Sequence, residues 1–499
     1  MNSISNIYLI IFLPLFSSLL CQLIGKKSLP FWIALTSAIA LFFLILKVFP
    51  DVLIYEKIAN DFELSPLSIA LEFRLDVLGI VFLLLLTFLK IVILFYYRSD
   101  IESLLDQKGR KVFYSVYLLH LFALVGIFTT NNLLNLFLFF EIYSFAFFAT
   151  SSISKNLKIS KLTFRYFCLN AASSLIILFC FLAIYLSFGE INFNKIGEAF
   201  AMTPNLNSWF IYAFFILLTI AFVIKFFPFW LYFENLKSIN LVSNYISIDS
   251  LFIKTNVGIF ILLKFLYFFF GSNLLFTRFD FAPLLIFISL ILIFYSAIKL
   301  YQQRHLKSIT VYLCLNNLGF ILACLALQTI ESLQALFFYL LNFSLVNLLL
   351  FIFATFLKRN FKTSSLSKIW LIKQNHFLLV LPIKLLIFFI AAFPLTTLFF
   401  ANWYLAYASF TLNFAAFLLV GLIVSNFVHV TLAIRLIAAF FKRGSQPFEG
   451  MTILKTREYS FYLASFWFLI ATIYLASIAS NLTSSLSLRF ATFLLSNSI

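Results

Sequence analysis

The chain has 499 residues, of which 63% are hydrophobic and 11% are charged, and its formal net charge at pH 7 is +17. This small number of polar side chains cannot cover the surface of a water-soluble domain. The composition therefore excludes a water-soluble protein and predicts an integral membrane protein. The positive charge does not indicate a nucleic-acid partner, because the basic residues sit in short loops and form no aromatic-interleaved patch.

Apolar runs recur along the chain from residue 4 to residue 479. Each is close to the roughly 20 residues that a helix needs to span a bilayer, and the runs are continuous rather than alternating, which favours helices over the strands of a barrel. The sequence predicts an all-α polytopic membrane protein with about 14 transmembrane helices. The predicted helices cover residues 4–24, 30–49, 75–97, 112–129, 132–153, 163–188, 207–228, 245–270, 281–300, 309–328, 334–357, 377–407, 410–440 and 459–479.

The loop charges indicate the topology. Loops after odd-numbered helices hold most of the lysines and arginines, whereas loops after even-numbered helices hold most of the acids, including the long acidic loop at 50–74. By the positive-inside rule, the odd loops face the matrix or the cytoplasm and both termini lie on the opposite side.

We interpret residues 1–499 as a single membrane domain. It begins with three helices in 1–111 and ends with a helix and tail in 441–499. Between them lie two blocks of five helices each, at 112–270 and 281–440. Because five is an odd number, the two consecutive blocks have opposite orientations in the membrane, as in the inverted repeats of transporters. Pro228 and Pro394 are expected to break helices 7 and 12 at corresponding places in these two repeats.

A few ionisable residues remain inside the predicted helices. Each costs several kcal/mol near the bilayer centre unless it is paired or hydrated, so each is a functional hypothesis. Glu141, near the middle of the fifth helix, is the clearest, and Lys225 and Lys254 follow because they lie beside a helix break or deep in a helix. For Lys90, Lys264 and Lys384, a lysine that snorkels to the interface is an equal alternative. Arg435 near the end of helix 13 completes the set.

No cofactor is predicted in this chain. The cysteines fall singly within apolar runs, without the paired spacing of zinc or iron–sulfur ligands, and the four histidines do not form the paired axial ligands of a diheme cytochrome. No phosphate-binding loop or nucleophile triad is present either. Any energy source is therefore expected to come from other chains or from an ion gradient.

Several short motifs resemble the antiporter-like membrane subunits shared by respiratory complex I and multisubunit cation/proton antiporters. Phe139-Phe140-Glu141 resembles the glutamate segment of the fifth helix, and Ile253-Lys254-Thr255 resembles the lysine segment of the eighth. The segments 73–78 and 306–312, the latter with Gly319, resemble the starts of helices 3 and 10.

Within complex I, the likeness is greatest to subunit 2. It rests on Arg165-Tyr166-Phe167 with Ser173-Ser174 downstream, and on Phe393-Pro394-Leu395-Thr396 with Trp403 downstream. Subunit 4 would be expected to have a glutamate near position 402, and subunit 5 would be expected to have a longer chain with a lateral helix. Neither feature is visible in this sequence. A subunit 4-like chain remains an alternative.

The resemblance implies redox-coupled proton translocation in a subunit of NADH:ubiquinone oxidoreductase, along a path through Glu141, Lys225, Lys254, Asn317 and Asn402. Asn317 aligns with a histidine of the family and Asn402 with a lysine, and neither asparagine can change charge. Proton transfer there would need water that the asparagines hold. A stand-alone cation/proton antiporter and a structural subunit with a degenerate path are therefore open alternatives.

The resemblance also implies partners and a location. Flavin, iron–sulfur clusters and ubiquinone would belong to other subunits, and the partners would be membrane-arm subunits and membrane lipids, with cardiolipin as one candidate and no nucleic acid. The abundance of Phe, Ile, Leu and Asn is typical of an AT-rich genome, which favours the mitochondrial inner membrane, with a bacterial plasma membrane as the alternative.

Overall fold

The computed structural model describes residues 2–23, 29–63, 70–152, 157–202, 208–227, 244–269, 281–361, 364–366, 380–410, 416–441 and 480–496. The chain divides into two units. The first comprises Met1–Phe279 with Ser496–Ile499, and the second comprises Asp280–Leu495.

In the residues that the structure describes, the first unit is mostly helical. Its helices are Asn2–Leu23, Leu29–Tyr55, Val77–Tyr96, Arg98–Leu104, Gln107–Thr129, Leu133–Ser152, Leu157–Phe188, Phe193–Met202, Ser208–Phe226, Asn244–Ile248 and Thr255–Lys264. The π-helical segment Asp249–Lys254 joins the last two helices, and a second π-helical segment, Phe265–Phe269, continues the stretch, so that helical structure runs from 244 to 269.

The second unit is also helical in the residues described. Its helices are Phe281–Gln302, Leu306–Leu327, Ile330–Leu341, Asn347–Phe361, Val380–Ile390, Thr397–Phe410, Ala416–Phe441 and Ser480–Ser496. A third π-helical segment, Asn342–Val346, makes Ile330–Phe361 continuous.

Eleven helical segments within the described residues are long and apolar enough to cross a membrane. They confirm the polytopic helical fold. Of the predicted helices outside this set, 207–228 is found as Ser208–Phe226 and the twelfth is found as two halves, Val380–Ile390 and Thr397–Phe410. The predicted helix 459–479 and the expected break at Pro228 lie outside the described residues. The two inverted five-helix repeats stay a prediction.

The prediction of a long acidic loop at 50–74 is wrong, because part of this segment is helix and part is strand. The second helix continues to Tyr55, and β1 (Lys57–Glu63) then pairs antiparallel with β2 (Ala70–Asp76), in a register that sets Lys57 opposite Asp76. The segment 70–76 alternates apolar and charged residues, which is the period of a strand. Two charged residues of β2, Arg74 and Asp76, are buried, so the charge of this segment does not mark it as a solvated loop.

Local capping explains where some helices begin. The Asp76 carboxylate accepts a hydrogen bond from the Gly79 backbone N–H at 2.7 Å, which satisfies one of the unpaired donors at the start of Val77–Tyr96. Thr329 and Ser332 form a reciprocal capping box at the start of Ile330–Leu341. Just before it, Gln328 adopts a left-handed backbone with φ 53° and ends the preceding helix.

Burial differs sharply among the spans. Within Tyr245–Phe268, Leu306–Leu327 and Ile330–Arg359, 94% of the most apolar window is buried, against 33% in Ala282–Gln302. The three buried spans are thus enclosed by protein, whereas Ala282–Gln302 exposes most of its apolar side chains. Polar groups on the enclosed spans escape the hydrocarbon phase, and these spans carry Lys254 and Asn317.

Candidate functional site

Glu141 and Lys225 form a partly buried ion pair. Glu141 lies in Leu133–Ser152, Lys225 lies in the last turn of Ser208–Phe226, and the Lys225 Nζ is 2.8 Å from Glu141 Oε1. The lysine side chain is 0% exposed and the glutamate side chain 26% exposed. Nζ also donates to Ser174 Oγ at 2.5 Å. The two residues singled out from the sequence are therefore in direct contact, and Ser174 of the subunit 2-like motif completes the site.

Tyr166 connects this pair to Lys254. The Tyr166 hydroxyl donates to the backbone oxygen of Lys225 at 3.3 Å, and the centre of its ring lies 4.3 Å from Lys254 Nζ. The rings of Phe147 and Phe148 lie 4.9 and 5.7 Å from the same nitrogen. Three aromatic faces therefore surround the cation and stabilise it through their negative π-electron density.

Lys254 Nζ itself is buried and has no hydrogen-bond partner among the described residues. A buried ammonium without a carboxylate or a carbonyl beside it is costly. Both Lys225 and Asp249 act on Lys254 electrostatically. Lys254 therefore lies between two charged sites, and no hydrogen bond to a described residue ties it to either.

The backbone around Lys254 is π-helical from Asp249 to Lys254. A π-helical turn contains an extra residue and leaves i→i−4 bonds unmade, and such turns occur frequently at functional sites. The neighbouring polar side chains bond to this backbone. Thr255 Oγ1 donates to the Leu251 oxygen, and Asn256 Nδ2 donates to the Phe252 oxygen at 2.7 Å. The irregular turn is thus supported by its own side chains.

A second buried charge cluster was not predicted. Asp249 Oδ1 lies 2.5 Å from Lys90 Nζ, and the same nitrogen lies 2.7 Å from His120 Nδ1. All three side chains are at most 2% exposed. Lys90 had snorkelling as an equal alternative, and its position at 0% exposure excludes that alternative. The available signal was Asp249 itself, an acid inside the predicted helix 245–270.

The other ionisable residues predicted inside helices take different positions. Lys264 is buried and donates to the backbone oxygen of Thr130. Lys384 is exposed, as the snorkelling alternative expects. Arg435 donates from its guanidinium to the backbone oxygens of Tyr301 and Gln303 at 2.8 and 2.7 Å.

In the second unit, Asn402 bridges two polar groups. Its Oδ1 accepts from the Tyr339 hydroxyl at 2.6 Å, and its Nδ2 donates to Asn426 Oδ1 at 2.8 Å. The Tyr339 ring stacks on Phe320 with 5.2 Å between ring centres. Phe320 is three residues after Asn317, so the two share a helix face.

Asn317 is buried, and its Oδ1 has no hydrogen-bond partner in the described part of the chain. Its neighbour Asn316 is fully bonded by contrast, accepting from Ser425 at 2.8 Å and donating to Ser296 at 3.0 Å. Asn317 is buried and Asn402 is half-buried. Their role in proton transfer stays a prediction.

The predicted break at Pro394 is confirmed. One helix ends at Ile390 and the next begins at Thr397, with Ala392 and Leu395 at positive φ (53° and 72°) in the turn between them. Thr397 Oγ1 donates to Asn342 Oδ1 at 3.5 Å, which places the break beside the π-helical segment Asn342–Val346. Asn402 lies in the helix that follows the break.

The sequence profile of the NADH:quinone oxidoreductase/Mrp antiporter transmembrane family matches residues 130–428. The chain belongs to this family. The matched region contains every residue of the predicted proton path. The ion pair of Glu141 and Lys225 therefore lies within the part of the chain that defines the family.

Individual relatives agree with this assignment. NADH-quinone oxidoreductase subunit N of Pelagibacter ubique (strain HTCC1062) is 28% identical over 305 residues, which cover 59% of this chain and 61% of that protein. The chain thus matches less than two thirds of that relative's length.

Solved structures show the same fold over the whole chain. A chain of the Mrp complex from Dietzia sp. DQ12-45-1b superposes with a TM-score of 0.82 at 14% identity, covering 99% of this chain and 98% of that one. A chain of respiratory complex I from Thermus thermophilus with bound NADH gives a TM-score of 0.74 at 18% identity, covering 98% and 99%.

Proposed function

We propose that this chain is a proton-translocating membrane subunit of a complex I-type NADH:quinone oxidoreductase, most like subunit 2. The observation that carries the proposal is the contact of Glu141 with the buried Lys225, beside a Lys254 that has no hydrogen bond to a described residue. A pair that joins and parts changes the proton affinity of both members, so charge movement elsewhere in a complex can be converted into proton transfer here.

The path would run through Glu141, Lys225, Lys254, Asn317 and Asn402. Glu141 holds Lys225 while the two are paired. When the pair parts, Lys225 passes its proton to Lys254, which is free of hydrogen bonds to described residues and can accept or release a proton without breaking one. In the second unit, Asn317 and Asn402 would hold the water that carries protons onward.

The chemistry that drives this movement would reside on other chains. Flavin, iron–sulfur clusters and quinone are assigned to partner subunits, and this chain is assigned no redox centre. Its partners would be the neighbouring membrane-arm subunits and lipids, with cardiolipin as a candidate at the basic loops. The composition favours the mitochondrial inner membrane over a bacterial plasma membrane.

A cation/proton antiporter complex is the second candidate, because the family includes Mrp antiporters and the Mrp chain gives a TM-score of 0.82. The same pair would then exchange protons for cations without electron transfer. A subunit 4-like chain and a structural subunit with a degenerate path are the remaining alternatives, the latter because neither Asn317 nor Asn402 can be charged.

Mass spectrometry of the native complex, combined with an NADH oxidation assay, separates these candidates. Co-purification with flavin and iron–sulfur subunits, together with proton uptake driven by NADH, supports the complex I proposal. A particle without redox subunits that exchanges cations for protons supports the antiporter. A redox particle in which Glu141→Gln and Lys254→Ala both translocate protons normally supports the structural alternative.

A further inference from the structure

Asp249, Lys90 and His120 form a buried triad that the proposed path through Glu141, Lys225 and Lys254 does not use. They come from three different helical segments, and all three are enclosed within the first unit. The Lys90 nitrogen touches both other members, at 2.5 Å from Asp249 Oδ1 and 2.7 Å from His120 Nδ1.

One proton is shared along the contact between Lys90 and His120. Two nitrogens 2.7 Å apart need a single hydrogen between them. When the pair carries one positive charge, either Lys90 is an ammonium that donates to a neutral imidazole, or Lys90 is an amine that accepts from an imidazolium. Moving the proton from Nζ to Nδ1 breaks one N–H bond, forms another and leaves the net charge of the triad unchanged.

Asp249 can serve as the counter-ion in both states. Its Oδ1 faces the Lys90 nitrogen, and its Oδ2 lies 3.7 Å from His120 Nδ1. A carboxylate that faces only one base would fix the proton on that base, whereas this one stabilises the cation on either. The triad therefore has two positions for one proton, and the nearer carboxylate oxygen favours the position on Lys90.

The surroundings of the triad are polar. The rings of Tyr117 and Tyr245 lie 5.3 and 6.0 Å from the Lys90 nitrogen, and the Tyr143 ring lies 4.2 Å from the His120 ring. The hydroxyls of these three tyrosines and His120 Nε2 are buried and make no hydrogen bond to a described residue. In protein interiors, ordered water molecules form hydrogen bonds to buried donors and acceptors of this kind.

Lys254 links the triad to the proposed path. Asp249 and Lys254 stand at the two ends of the same π-helical segment, and each acts on the other electrostatically. Lys254 also acts on His120. A change of charge at Lys254 therefore acts on Asp249 and on His120.

We propose that Asp249, Lys90 and His120 form a second proton-holding site that exchanges a proton with Lys254. The inference rests on the proposed function, because it assigns the triad to the same translocation path. Glu141 then acts on the path at Lys225, and Asp249 acts on it at Lys254.

The test uses the native complex with single and paired substitutions. His120→Asn puts an amide where Nδ1 was, so it can still bond to Lys90 but cannot take a proton. Lys90→Met with Asp249→Asn removes both charges together, which leaves no unpaired buried ion. Lys384→Met is the matched control, because Lys384 is exposed. Assembly on native gels, NADH-driven proton uptake and the infrared difference spectrum of turnover are measured.

We expect the variants to assemble, the triad variants to lose proton uptake by at least about tenfold, and His120→Asn to lose an imidazole band from the difference spectrum. Normal uptake and an unchanged spectrum in both triad variants, with uptake still abolished in Lys254→Ala, would overturn this inference and leave the proposed function standing. Normal uptake in Lys254→Ala and Glu141→Gln would overturn both.

Discussion

The Lys254 ammonium lies 4.3 Å from the centre of the Tyr166 ring, while the hydroxyl of that tyrosine bonds to the backbone of Lys225. One side chain thus touches both lysines of the first unit that the sequence marks as functional. The ring stabilises the charged form of Lys254, and the hydroxyl fixes the end of the helix that carries Lys225.

Substitutions at Tyr166 separate these two contacts. Tyr166→Phe keeps the ring and removes a hydrogen bond that contributes about 1 kcal/mol, so proton uptake should fall only slightly. Tyr166→Leu also removes the ring, and with it about 2 kcal/mol of stabilisation of a desolvated cation, so proton uptake should fall much further. The measurement is NADH-driven proton uptake, normalised to assembled complex. Equal losses in both variants would contradict a role for the ring.

Breaking the Glu141–Lys225 pair should reduce both stability and proton uptake. Glu141→Gln leaves the fully buried Lys225 ammonium without its counter-ion, which should lower the free energy of unfolding by about 3 kcal/mol. This value is at the lower end of the range for broken buried ion pairs, because Glu141 is partly exposed. Adding Lys225→Met removes the unpaired charge, so the double variant should regain thermal stability without regaining proton uptake. A double variant with normal uptake would show that the pair is structural.

Asn402→Ala should destabilise the second unit. It leaves the Tyr339 hydroxyl and Asn426 without their shared partner. Tyr339 is buried, so the loss of its bond costs about 1 to 3 kcal/mol, and the loss at the half-buried Asn426 costs less. Trp403→Leu is the matched control, because Trp403 is the next residue and is 64% exposed. Thermal inactivation of the complex measures the difference, and equal midpoints for the two variants would count against the bridge.

Gly258→Ala should disturb the first unit near Lys225. A Cβ at this position would lie 2.8 Å from the Phe226 Cβ, so the helix that carries Lys254 must move away from the one that carries Lys225. We expect a loss of about 1 to 3 kcal/mol in stability and a lower proton uptake. Gly109→Ala is the control, because its added Cβ meets the nearest atom at 3.5 Å, an ordinary contact. Equal behaviour of the two variants would contradict this packing argument.

The sequence was sufficient to predict the spans and part of the site. Each of the first thirteen predicted helices has a counterpart in the structure, because a membrane span needs a long apolar run that is visible in one sequence. Glu141, Lys225 and Lys254 stood out because a charge inside such a run is costly. The break at Pro394 followed from the missing backbone N–H of proline.

Other features depend on tertiary contacts that no local pattern encodes. Lys90 and Asp249 are separated by 159 residues, so neither position reveals that the other lies beside it. The π-helical turn at Asp249–Lys254 lies inside an apolar run that predicts a continuous helix, and no residue pattern in the sequence marked it. The hairpin at 57–76 was missed because charged residues suggested a solvated loop, although the alternation in β2 indicated a strand.

The most direct test compares Lys254→Arg with Lys384→Arg in the native complex. Arginine keeps the positive charge and the stacking on Tyr166, but it does not release its proton at physiological pH. If Lys254 relays protons, Lys254→Arg assembles, and its NADH-driven proton uptake falls by at least about tenfold, while Lys384→Arg is normal. If Lys254→Arg translocates protons at the wild-type rate, Lys254 is only a buried cation, and this chain does not carry protons along the path proposed for it.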